Sequence, residues 1–329
     1  MNLEKIAGKL RISRRTVSRV LKNDKYVDEG KRKRVLKYLK KNRYVPNFNA
    51  SSLAVRNSKV VSMVLPRGVI MSIDYFLAET IKCLSLELEK NGHYLMIFTD
   101  EKHEYEKLFG LYESKTVGGF VIFSPSNNDV GYMNEIRKSK IPAVIVFSHF
   151  KGIDSFSCDN FNGAYAATKH LIDSGKRNIG FIHGHLSWVD SQDRFFGYLS
   201  ALKDAGVKYR PELVKIGYFD YEGGRKAAEE MLSEGKADAI FAANDKMAIG
   251  AIYAINGAGK SVPEDIAVVG FDDILEGKFI SPSLTTVSQP IGVIIENAAR
   301  RLSERMKSKK FLDPIFKTYE PDLIKRKSA

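Results

Sequence analysis

Several residue types that mark particular classes of protein are scarce in this chain of 329 residues. It has only two cysteines, Cys83 and Cys158, which are too few for a disulfide scaffold and fit a reducing compartment. Residues 1–11 contain no apolar segment typical of a secretory signal, and no run of about 18 apolar residues could cross a membrane. We therefore expect a cytoplasmic protein with no membrane partner.

Sequence motifs of common enzyme classes are also missing. No G-x-G-x-x-G or G-x-x-x-x-G-K-[ST] follows a predicted strand, and G-x-S-x-G is absent. His183 and His185 stand two residues apart, but two histidines without a third ligand are weak evidence for a metal site. We predict no enzymatic activity, no catalytic residues, no cofactor and no bound metal.

The positive charge is concentrated at the start of the chain. Residues 1–59 hold 18 of the 52 Lys and Arg but only 4 of the 39 Asp and Glu, so they account for essentially all of the net charge of +13. A basic module on a near-neutral body is typical of a protein that binds a polyanion. A membrane-surface helix would need an unbroken apolar face with Trp or Phe, which this segment lacks.

The basic segment has the pattern of three short helices. The first helix is predicted at residues 2–10 and the second at Ser13–Asn23. The second helix has Ser13 as its N-cap and an apolar stripe of Val17, Val20 and Leu21. The tight turn between them is typical of a helix-turn-helix, whose second helix enters the major groove. Taken alone, the second helix would be interpreted as a solvated basic face, but the segments on either side of it favour DNA binding.

The third predicted helix runs from an N-cap at Asp28 to Asn42. Val35, Leu36 and Leu39 supply its expected buried stripe, and its lysines could reach phosphates or stay solvated. Pro46 ends this head, and residues 47–54 could form a helix too short to be stable without support.

The head resembles that of the lactose-repressor (LacI/GalR) family of transcription regulators. The resemblance is carried by Ile12–Asn23, by Tyr44-Val45-Pro46-Asn47 and by Leu53. It implies that Arg14 and Arg15 read bases and that Leu53 wedges into the minor groove, although Leu53 could instead be an ordinary packing residue. The full set of DNA-binding residues expected from it is Ser13, Arg14, Arg15, Thr16, Ser18, Arg19, Asn23, Asn47, Ala50 and Leu53.

Beyond residue 60, short apolar segments that predict buried strands alternate with predicted helices such as Tyr75–Asn91. The predicted strands are Val60–Leu65, Tyr94–Thr99, Gly119–Phe123, Ala143–Phe147, Asn178–His183, Ala239–Ala242 and Ala267–Gly270. This alternation predicts parallel sheets covered by helices, in two similar sets on either side of about Asp159. The predicted fold class is therefore an all-α head followed by an α/β core.

The resemblance extends through this core and implies two Rossmann-like lobes of the periplasmic-binding-protein type. It implies crossovers near Ser157–Phe161, Ser288–Ile291 and Thr318–Pro321. The expected domains are a helix-turn-helix at 1–45, a hinge helix and linker at 46–58, and an effector-binding and dimerisation core at 59–329. Within that core, lobe 1 is expected at about 60–158 plus 291–318, and lobe 2 at about 161–288 plus 320–329.

The resemblance also implies that a small-molecule effector, a sugar, binds between the lobes. Arg194 offers bidentate donors and Asp272 accepts from sugar hydroxyls. The expected effector-binding residues are Phe76, Ser124, Trp188, Arg194, Phe219, Asn244 and Asp272.

Four positions near this expected site stay ambiguous or depart from the family. Trp188 could be a stacking platform or could pack within its lobe, and Asp74 could form only an exposed loop salt bridge. Many sugar-responsive members carry an acidic residue where this chain has Phe147, which makes a common monosaccharide a poorer expectation. His149 could substitute for it or could simply be exposed.

These observations predict a homodimeric repressor that binds a pseudo-palindromic double-stranded DNA operator and is controlled by a sugar. The alternative is a solute (sugar)-binding protein without DNA function, because the core alone fits that class. The basic head and the missing signal peptide favour the repressor.

Overall fold

The computed structural model describes residues 3–21, 24, 26–42, 58–66, 74–100, 105–234, 236–308, 310 and 312–329. The chain divides into two compact units, residues 1–56 and residues 57–329. Each unit is described by itself.

The described residues of the first unit form three helices: α1 (Leu3–Leu10), α2 (Arg14–Leu21) and α3 (Glu29–Lys41). Two polar caps begin α2 and α3 as predicted: the Ser13 hydroxyl accepts from the Thr16 N–H at 3.1 Å, and the Asp28 carboxylate accepts from the Lys31 N–H at 2.9 Å. The small apolar core consists of Ile6, Ala7, Val17, Val20, Val27, Val35 and Leu39.

The prediction that Leu36 belongs to the buried stripe of α3 is wrong. Leu36 is 49% exposed, whereas Val35 and Leu39 are buried. Successive residues of an α-helix point about 100° apart, so the face that buries Val35 and its i+4 neighbour Leu39 turns Leu36 towards solvent.

The second unit contains two six-stranded sheets, each flanked by helices. Its elements are β1 (Val60–Pro66), α4 (Tyr75–Lys90), β2 (Tyr94–Asp100), α5 (Tyr105–Glu113), β3 (Gly119–Phe123), α6 (Val130–Ser139), β4 (Ala143–Val146), β5 (Asp154–Cys158), α7 (Asn160–Asp173), β6 (Ile179–His183), α8 (Val189–Asp204), β7 (Val214–Ile216), α9 (Tyr221–Ser233), β8 (Ala239–Ala242), α10 (Asp245–Gly257), β9 (Ala267–Phe271), α11 (Glu276–Phe279), β10 (Thr285–Ser288), α12 (Ile291–Lys307), β11 (Phe316–Tyr319) and β12 (Asp322–Ile324).

The two sheets have the same strand pattern, which confirms the predicted pair of α/β lobes. The sheet of lobe 1 has the order β11-β5-β4-β3-β1-β2 and is parallel throughout. The sheet of lobe 2 has the order β12-β10-β9-β8-β6-β7, and only its β10–β12 pair is antiparallel. Helices cover the sheets because inner strands such as β3, β4, β8 and β9 are apolar and buried on both faces.

The chain passes between the lobes three times. It leaves lobe 1 after β5, returns between β10 and α12, and crosses again between β11 and β12. The two lobes are therefore joined by three connecting segments and not by one. In the described part of the chain, no helix has the length and apolar character needed to cross a membrane.

Candidate functional site

The exposed face of α2 carries the side chains expected to read DNA. Arg14, Arg15 and Arg19 are exposed, and both Thr16 and Ser18 are partly exposed. Arg14 pairs with Glu4 of α1 at 3.3 Å, an exposed ion pair of little energetic value. Arg15 has no ion pair or hydrogen bond to any described residue, so its guanidinium is available to an outside partner.

Two hydroxyls at the start of α2 are already engaged with each other. Ser13 Oγ lies 2.8 Å from Thr16 Oγ1, in addition to its bond to the Thr16 N–H. Arg19 lies 3.3 Å from Asp24. Four further expected DNA-binding residues, Asn23, Asn47, Ala50 and Leu53, lie outside the described residues, as does most of the expected hinge at 46–58.

Two arginines of α3 hold the head together. Arg34 Nη2 donates to the carbonyl of Leu10 at 3.0 Å, at the end of α1. Arg32 donates to the carbonyl of Asp24, which precedes α3. The basic character of α3 therefore has a partly structural origin, because these guanidinium groups satisfy carbonyls at helix ends.

A cavity of about 440 Å³ lies between the two lobes of the core. All seven residues predicted to bind the effector line it: Phe76, Ser124, Trp188, Arg194, Phe219, Asn244 and Asp272. Phe76 and Ser124 belong to lobe 1, and the other five belong to lobe 2. These side chains lie close together because the carboxyl ends of the parallel strands in both sheets border the cleft.

Arg194 of α8 is a buried cation that is held on several sides. Its Nε donates to Asn160 Oδ1 at 2.9 Å, and its Nη1 donates to the Ala243 carbonyl and lies 3.6 Å from Asp272 Oδ1. The guanidinium stacks 3.8 Å from the centroid of the Phe271 ring. These contacts fix the plane of the guanidinium and leave Nη2 directed to no described partner.

Asp272 follows β9 and has the unusual backbone angle φ +114°. Its N–H donates to the Val287 carbonyl at 2.7 Å, and its Oδ1 accepts from Gln289 Nε2 at 2.7 Å. Burial raises the pKa of Asp272 to about 7, and the charges of Asp74 and Asp190 add to that rise, although Arg194 and Gln289 oppose it. The two partners Arg194 and Gln289 thus offset only part of the effect of burial on this carboxyl group.

Asn244 lines the cavity, but both ends of its amide are already in use. Its Oδ1 accepts from the Met247 N–H at 3.0 Å and caps α10, and its Nδ2 donates to the Phe219 carbonyl at 3.2 Å. This side chain consequently fixes the positions of α10 and Phe219 besides facing the cavity.

An aromatic platform from lobe 2 forms one side of the cavity. The rings of Trp188 and Phe219 lie 5.6 Å apart, and that of His185 lies 5.2 Å from Trp188. Gly184 lies directly beneath Phe219, because a Cβ at this position would come within 2.1 Å of the ring. Trp188 lines the cavity and also packs on His185 and Phe219 within its own lobe, so both positions considered from the sequence apply to it.

Lobe 1 contributes three contacting phenyl rings. Phe76 lies 4.8 Å from Phe147 and 6.3 Å from Phe123, in edge-to-face arrangements, and Phe123 lies 5.6 Å from Phe147. At the position where an acidic residue was considered from the sequence, Phe147 therefore places an apolar ring against Phe76 and Phe123. His149 does not replace that acid, since it is exposed and packs on Phe316 at 4.7 Å.

Sequence reasoning underestimated Asp74 and missed its partner. Asp74 caps α4, since its carboxylate accepts from the Leu77 N–H at 3.0 Å, and it also lies 2.9 Å from Lys246 Nζ. Lys246 is buried and belongs to α10 of lobe 2, so this ion pair joins the two lobes at the cavity. The sequence signal available was the N-cap position of Asp74, which does not reveal a partner 172 residues away.

Asp190 and Gln289 were also missed. Asp190 lines the cavity one helical turn before Arg194, and Gln289 reaches it from the second crossover. The i, i+4 spacing of Asp190 and Arg194 could have indicated the first, whereas only the fold places Gln289 beside Asp272.

His183 is a core histidine. Its Nδ1 lies 2.7 Å from Ser191 Oγ, which also accepts from the Gly184 N–H, and burial lowers the pKa of His183 to about 4. It stabilises the start of α8. Within the described ranges, no group of three His, Cys, Asp or Glu side chains could hold a metal ion.

Comparison with known proteins gives matches to both units. The family model of bacterial regulatory proteins of the lacI family matches residues 2–47, and that of a periplasmic binding protein-like domain matches residues 168–329. The probable HTH-type transcriptional repressor ExuR of Bacillus subtilis (strain 168) is 31% identical over 305 residues, which cover 92% of this chain and 90% of that protein.

Two solved structures are similar over the full length of the chain. The complex of the transcriptional regulator CelR with cellobiose is 29% identical, with a TM-score of 0.76 and 100% of both chains covered. The lac repressor dimer bound to operator and the anti-inducer ONPF has a TM-score of 0.87 at 23% identity, with 100% of this chain and 98% of that chain covered. At that identity, the second likeness shows the fold.

Proposed function

Because the chain belongs to the lacI family of bacterial regulatory proteins, we propose that it represses transcription from a pseudo-palindromic operator and that a sugar bound between its core lobes alters its affinity for that operator. It is a DNA-binding transcriptional regulator with a helix-turn-helix head and a ligand-binding core. The repression logic, the sugar and the residues in contact with DNA and sugar are the proposal.

The proposed DNA-binding surface is the exposed face of α2. Arg14 and Arg15 read base edges, and Ser13, Thr16, Ser18, Arg19 and Asn23 position the helix on the backbone. An unpaired Arg15 supports this assignment, because an arginine can bind the O6 and N7 of guanine with two hydrogen bonds. Asn47, Ala50 and Leu53 are assigned to the hinge, in the minor groove.

The proposed domains are the head at 1–45, the hinge and linker at 46–58 and the core at 59–329. In this scheme a homodimer presents two heads to two half-sites, since operator symmetry mirrors protein symmetry. We place its action with the DNA, in the cytoplasm, and assign it no catalytic activity, no metal and no cofactor.

The observation that best supports the effector site is the convergence of all seven expected side chains on one cavity. Polar groups around Arg194 and Asp272 suit sugar hydroxyls, and the Trp188–Phe219 platform suits the apolar face of a sugar ring. The cellobiose complex of CelR, which is 29% identical, points to the same ligand class. Sugar binding would change the relation of the lobes and thereby the spacing of the two hinges.

A solute-binding protein without DNA function is the alternative. The core alone would serve such a protein, but its exposed basic head would then have no purpose. The described head has a capped α2 with exposed arginines, which favours the regulator.

The test is the substitution Asp272→Ala in the full-length protein. We expect it to abolish the response to sugar while operator binding is retained, because Asp272 faces the cavity and lies in a different unit from α2. Sugar titration is followed by the fluorescence of Trp188, the only tryptophan. An unchanged titration in the variant would refute the assigned site.

A further inference from the structure

The amino ends of the lobe 1 strands form one continuous edge of the core. The register places the first residues of β1, β2, β3, β4, β5 and β11 side by side. The helices α4, α5, α6 and α12 end beside them, because each of these helices is followed by one of these strands. We call this surface the amino edge of lobe 1. It consists of the last turn of each of these helices, the connection to the next strand, and the residues just before β1 and β5.

Contacts between these segments show that they form a single surface. A Cβ on Gly118, which precedes β3, would lie 2.6 Å from the carbonyl oxygen of Ser58 and 2.7 Å from Cε of Met306. A Cβ on Gly152, which precedes β5, would lie 2.6 Å from Cδ of Arg137. The end of α12 therefore adjoins the starts of β1 and β3, and the end of α6 adjoins the start of β5.

Exposed cations outnumber exposed carboxylates by eight to four among the described residues of this edge. The carboxylates are Glu89, Glu113, Glu304 and Asp313, of which Glu304 is paired with an arginine of its own helix. Two of the cations, Lys90 and Lys138, are likewise paired within their helices. The other six are Lys59, Arg137, Lys140, Lys151, Lys307 and Lys310. The edge is therefore strongly basic, although the core as a whole is near neutral.

His93, which is partly buried just before β2, lies within the field of these cations. Burial lowers its pKa, and the charges of Lys307 and Lys59 lower it further, against a hydrogen bond with the backbone of Lys59 that raises it. Cations from α12 and from the start of β1 thus act on the same point of the edge, so their charges add to one another.

The ends of helices favour cations for a purely structural reason, because the C-terminal end of the helix dipole is negative. Lobe 2 tests this explanation, since α7, α8, α9 and α10 also end beside the strands that follow them. Exposed cations and exposed carboxylates are equal in number there: Arg177, Lys203, Lys208, Lys236 and Lys260 against Asp173, Asp204, Glu230, Glu264 and Asp265. The segment after β12 adds only Lys325 and Lys327. Helix ends alone therefore do not explain the excess in lobe 1.

The chain enters the core at this same edge. Lys59 immediately precedes β1, and the DNA-binding head is attached through the residues before it. Adjacent strands are about 4.8 Å apart, so the edge from β1 to β5 is about 14 Å long, a length over which duplex DNA carries about eight phosphate charges. Lysine and arginine side chains distributed along such an edge suit the phosphate backbone, which carries no sequence information.

We propose that the amino edge of lobe 1 is a second DNA-binding surface, which contacts phosphates of the duplex outside the half-sites bound by α2. The partner is duplex DNA and not an acidic protein, because a head bound to its operator holds the attached core near flanking DNA at a high effective concentration. These contacts increase affinity and its dependence on salt, and they leave sequence preference to the head.

The test compares duplexes of two lengths and uses the full-length protein. A preferred duplex is selected from a random pool, and its operator of about 20 bp is prepared alone and with about 15 bp of scrambled sequence on each side. Fluorescence anisotropy gives the Kd of both duplexes between about 50 and 200 mM salt. At the lowest salt we expect the long duplex to bind at least about tenfold more tightly. Over this range it should lose about fortyfold more affinity than the short one, as three further phosphates at about 0.9 log unit each require.

A variant of the edge locates these contacts. It combines three substitutions of exposed side chains that have no ion pair with a described residue: Arg137→Gln, Lys151→Gln and Lys307→Gln. We expect it to bind the long and the short duplex with the same affinity, and to bind the short duplex as tightly as the wild type does. Retained binding of the short duplex also shows that the variant is folded.

The matched control removes the same charge from lobe 2. It combines Lys203→Gln, Lys208→Gln and Lys260→Gln, which are exposed at the corresponding edge of that lobe. This variant should keep the full gain in affinity from the longer duplex, because its substitutions lie outside the amino edge of lobe 1.

Three results would overturn the inference. Equal affinity of the wild type for both duplexes would leave the edge to solvent or to an acidic protein. A gain from length that persists in the lobe 1 variant would mean that a further head binds the flanking DNA. An equal loss of this gain in the lobe 2 variant would mean that only the net charge matters. If no duplex is preferred over scrambled DNA, recognition by the head fails as well, which the short duplex shows independently of the edge.

Discussion

At the scale of single residues, charge alone does not distinguish a base-reading side chain from a phosphate contact. Arg15 and Lys37 are both exposed cations of the head, but Arg15 lies on α2 and Lys37 on α3. A guanidinium can bind one base with two hydrogen bonds, whereas an ammonium acts on phosphates mainly as a point charge. The two substitutions should therefore differ in kind.

We predict that Arg15→Ala relaxes sequence preference at a cost of about 1–3 kcal/mol on the preferred operator and much less on other DNA. Lys37→Ala, the control, should weaken binding equally on all sequences. Competition assays with operator and scrambled duplexes measure both. An equal loss on every duplex for Arg15→Ala would contradict its base-reading role.

Asp272 predicts a pH dependence of ligand binding. Burial raises its pKa to about 7, so the protonated form becomes populated as the pH falls below that value. Only the carboxylate accepts hydrogen bonds from sugar hydroxyls with both oxygens, so effector affinity should fall below about pH 7, by up to tenfold per pH unit. In Asp272→Asn the affinity should be lower and nearly independent of pH between 5 and 8, as calorimetry at several pH values would show.

The same group affects stability with a defined sign. The folded-state pKa of Asp272 is higher than that of an exposed aspartate, so its contribution to stability is greatest under acidic conditions and is lost as the pH rises through about 7. The difference in melting temperature, wild type minus Asp272→Asn, should therefore decrease from pH 5 to pH 8. A difference that stays constant from pH 5 to pH 8 would mean that the carboxyl group is ionised in the folded protein throughout this range.

At the scale of elements, the sequence predicted the long, apolar strands and failed on the short, polar ones. Val60–Leu65 and Gly119–Phe123 were predicted because a short run of mostly apolar residues is typical of a strand buried on both faces. The strand β5, Asp-Ser-Phe-Ser-Cys, is just as buried but contains serines and Asp154. Its polarity is explained by partners far along the chain, since Arg301 and Arg305 both bind the Asp154 carboxylate.

Shortness explains the other strands that sequence analysis did not identify. Three of them, β7, β11 and β12, have three or four residues each and lie at or next to a sheet edge, so they show no alternation that a pattern could reveal. The candidate site shows a similar limit. Side chains on recognised landmarks such as Arg194 were found, whereas Gln289 has a role only because the second crossover brings it to Asp272.

The ion pair between α4 and α10 gives a prediction about lobe closure. Asp74→Asn keeps an oxygen that can cap α4 but removes the charge opposite the buried Lys246. We expect a loss of stability of about 1–3 kcal/mol, because a mostly buried cation is left unpaired, and a more open cleft. Thermal melts and the radius of gyration from X-ray scattering measure the two effects.

The control for this substitution is Asp220→Asn. Asp220 also caps a helix, since its carboxylate accepts from the Gly223 N–H at 2.6 Å, but it has no ion pair with a described residue. The substitution Asp220→Asn should change the free energy of unfolding by only about a few tenths of a kcal/mol. If both variants lose the same amount, the cap and not the interlobe ion pair explains the effect of Asp74.

At the scale of the whole molecule, charge and ligand binding are divided between the two units. Residues 1–59 carry nearly all of the excess positive charge, and the cavity lies entirely within the core. A specific complex made by the head should therefore weaken steeply with salt, by about 0.9 log unit per log unit of salt for each phosphate contacted. Binding of a neutral sugar by the core should instead be nearly insensitive to salt over the same range.

The two binding events must nevertheless be coupled if the protein is a regulator. If sugar changes operator affinity by some factor, operator must change sugar affinity by the same factor, because both paths around the thermodynamic cycle have the same free energy. We predict a factor of about 5–150, which corresponds to about 1–3 kcal/mol. Asp272→Ala, which leaves α2 unaltered, should abolish the coupling without abolishing operator binding.

The measurement is a pair of titrations on one preparation of the full-length protein. Sugar is titrated calorimetrically into the protein with saturating operator and, as the control, with a scrambled duplex of the same length; operator is then titrated by fluorescence anisotropy with and without saturating sugar. The two ratios should agree within error and have the same sign. Equal sugar affinities in the presence of operator and scrambled duplex would show that the cavity is not linked to the head, because a ligand with equal affinity for two states cannot shift the balance between them.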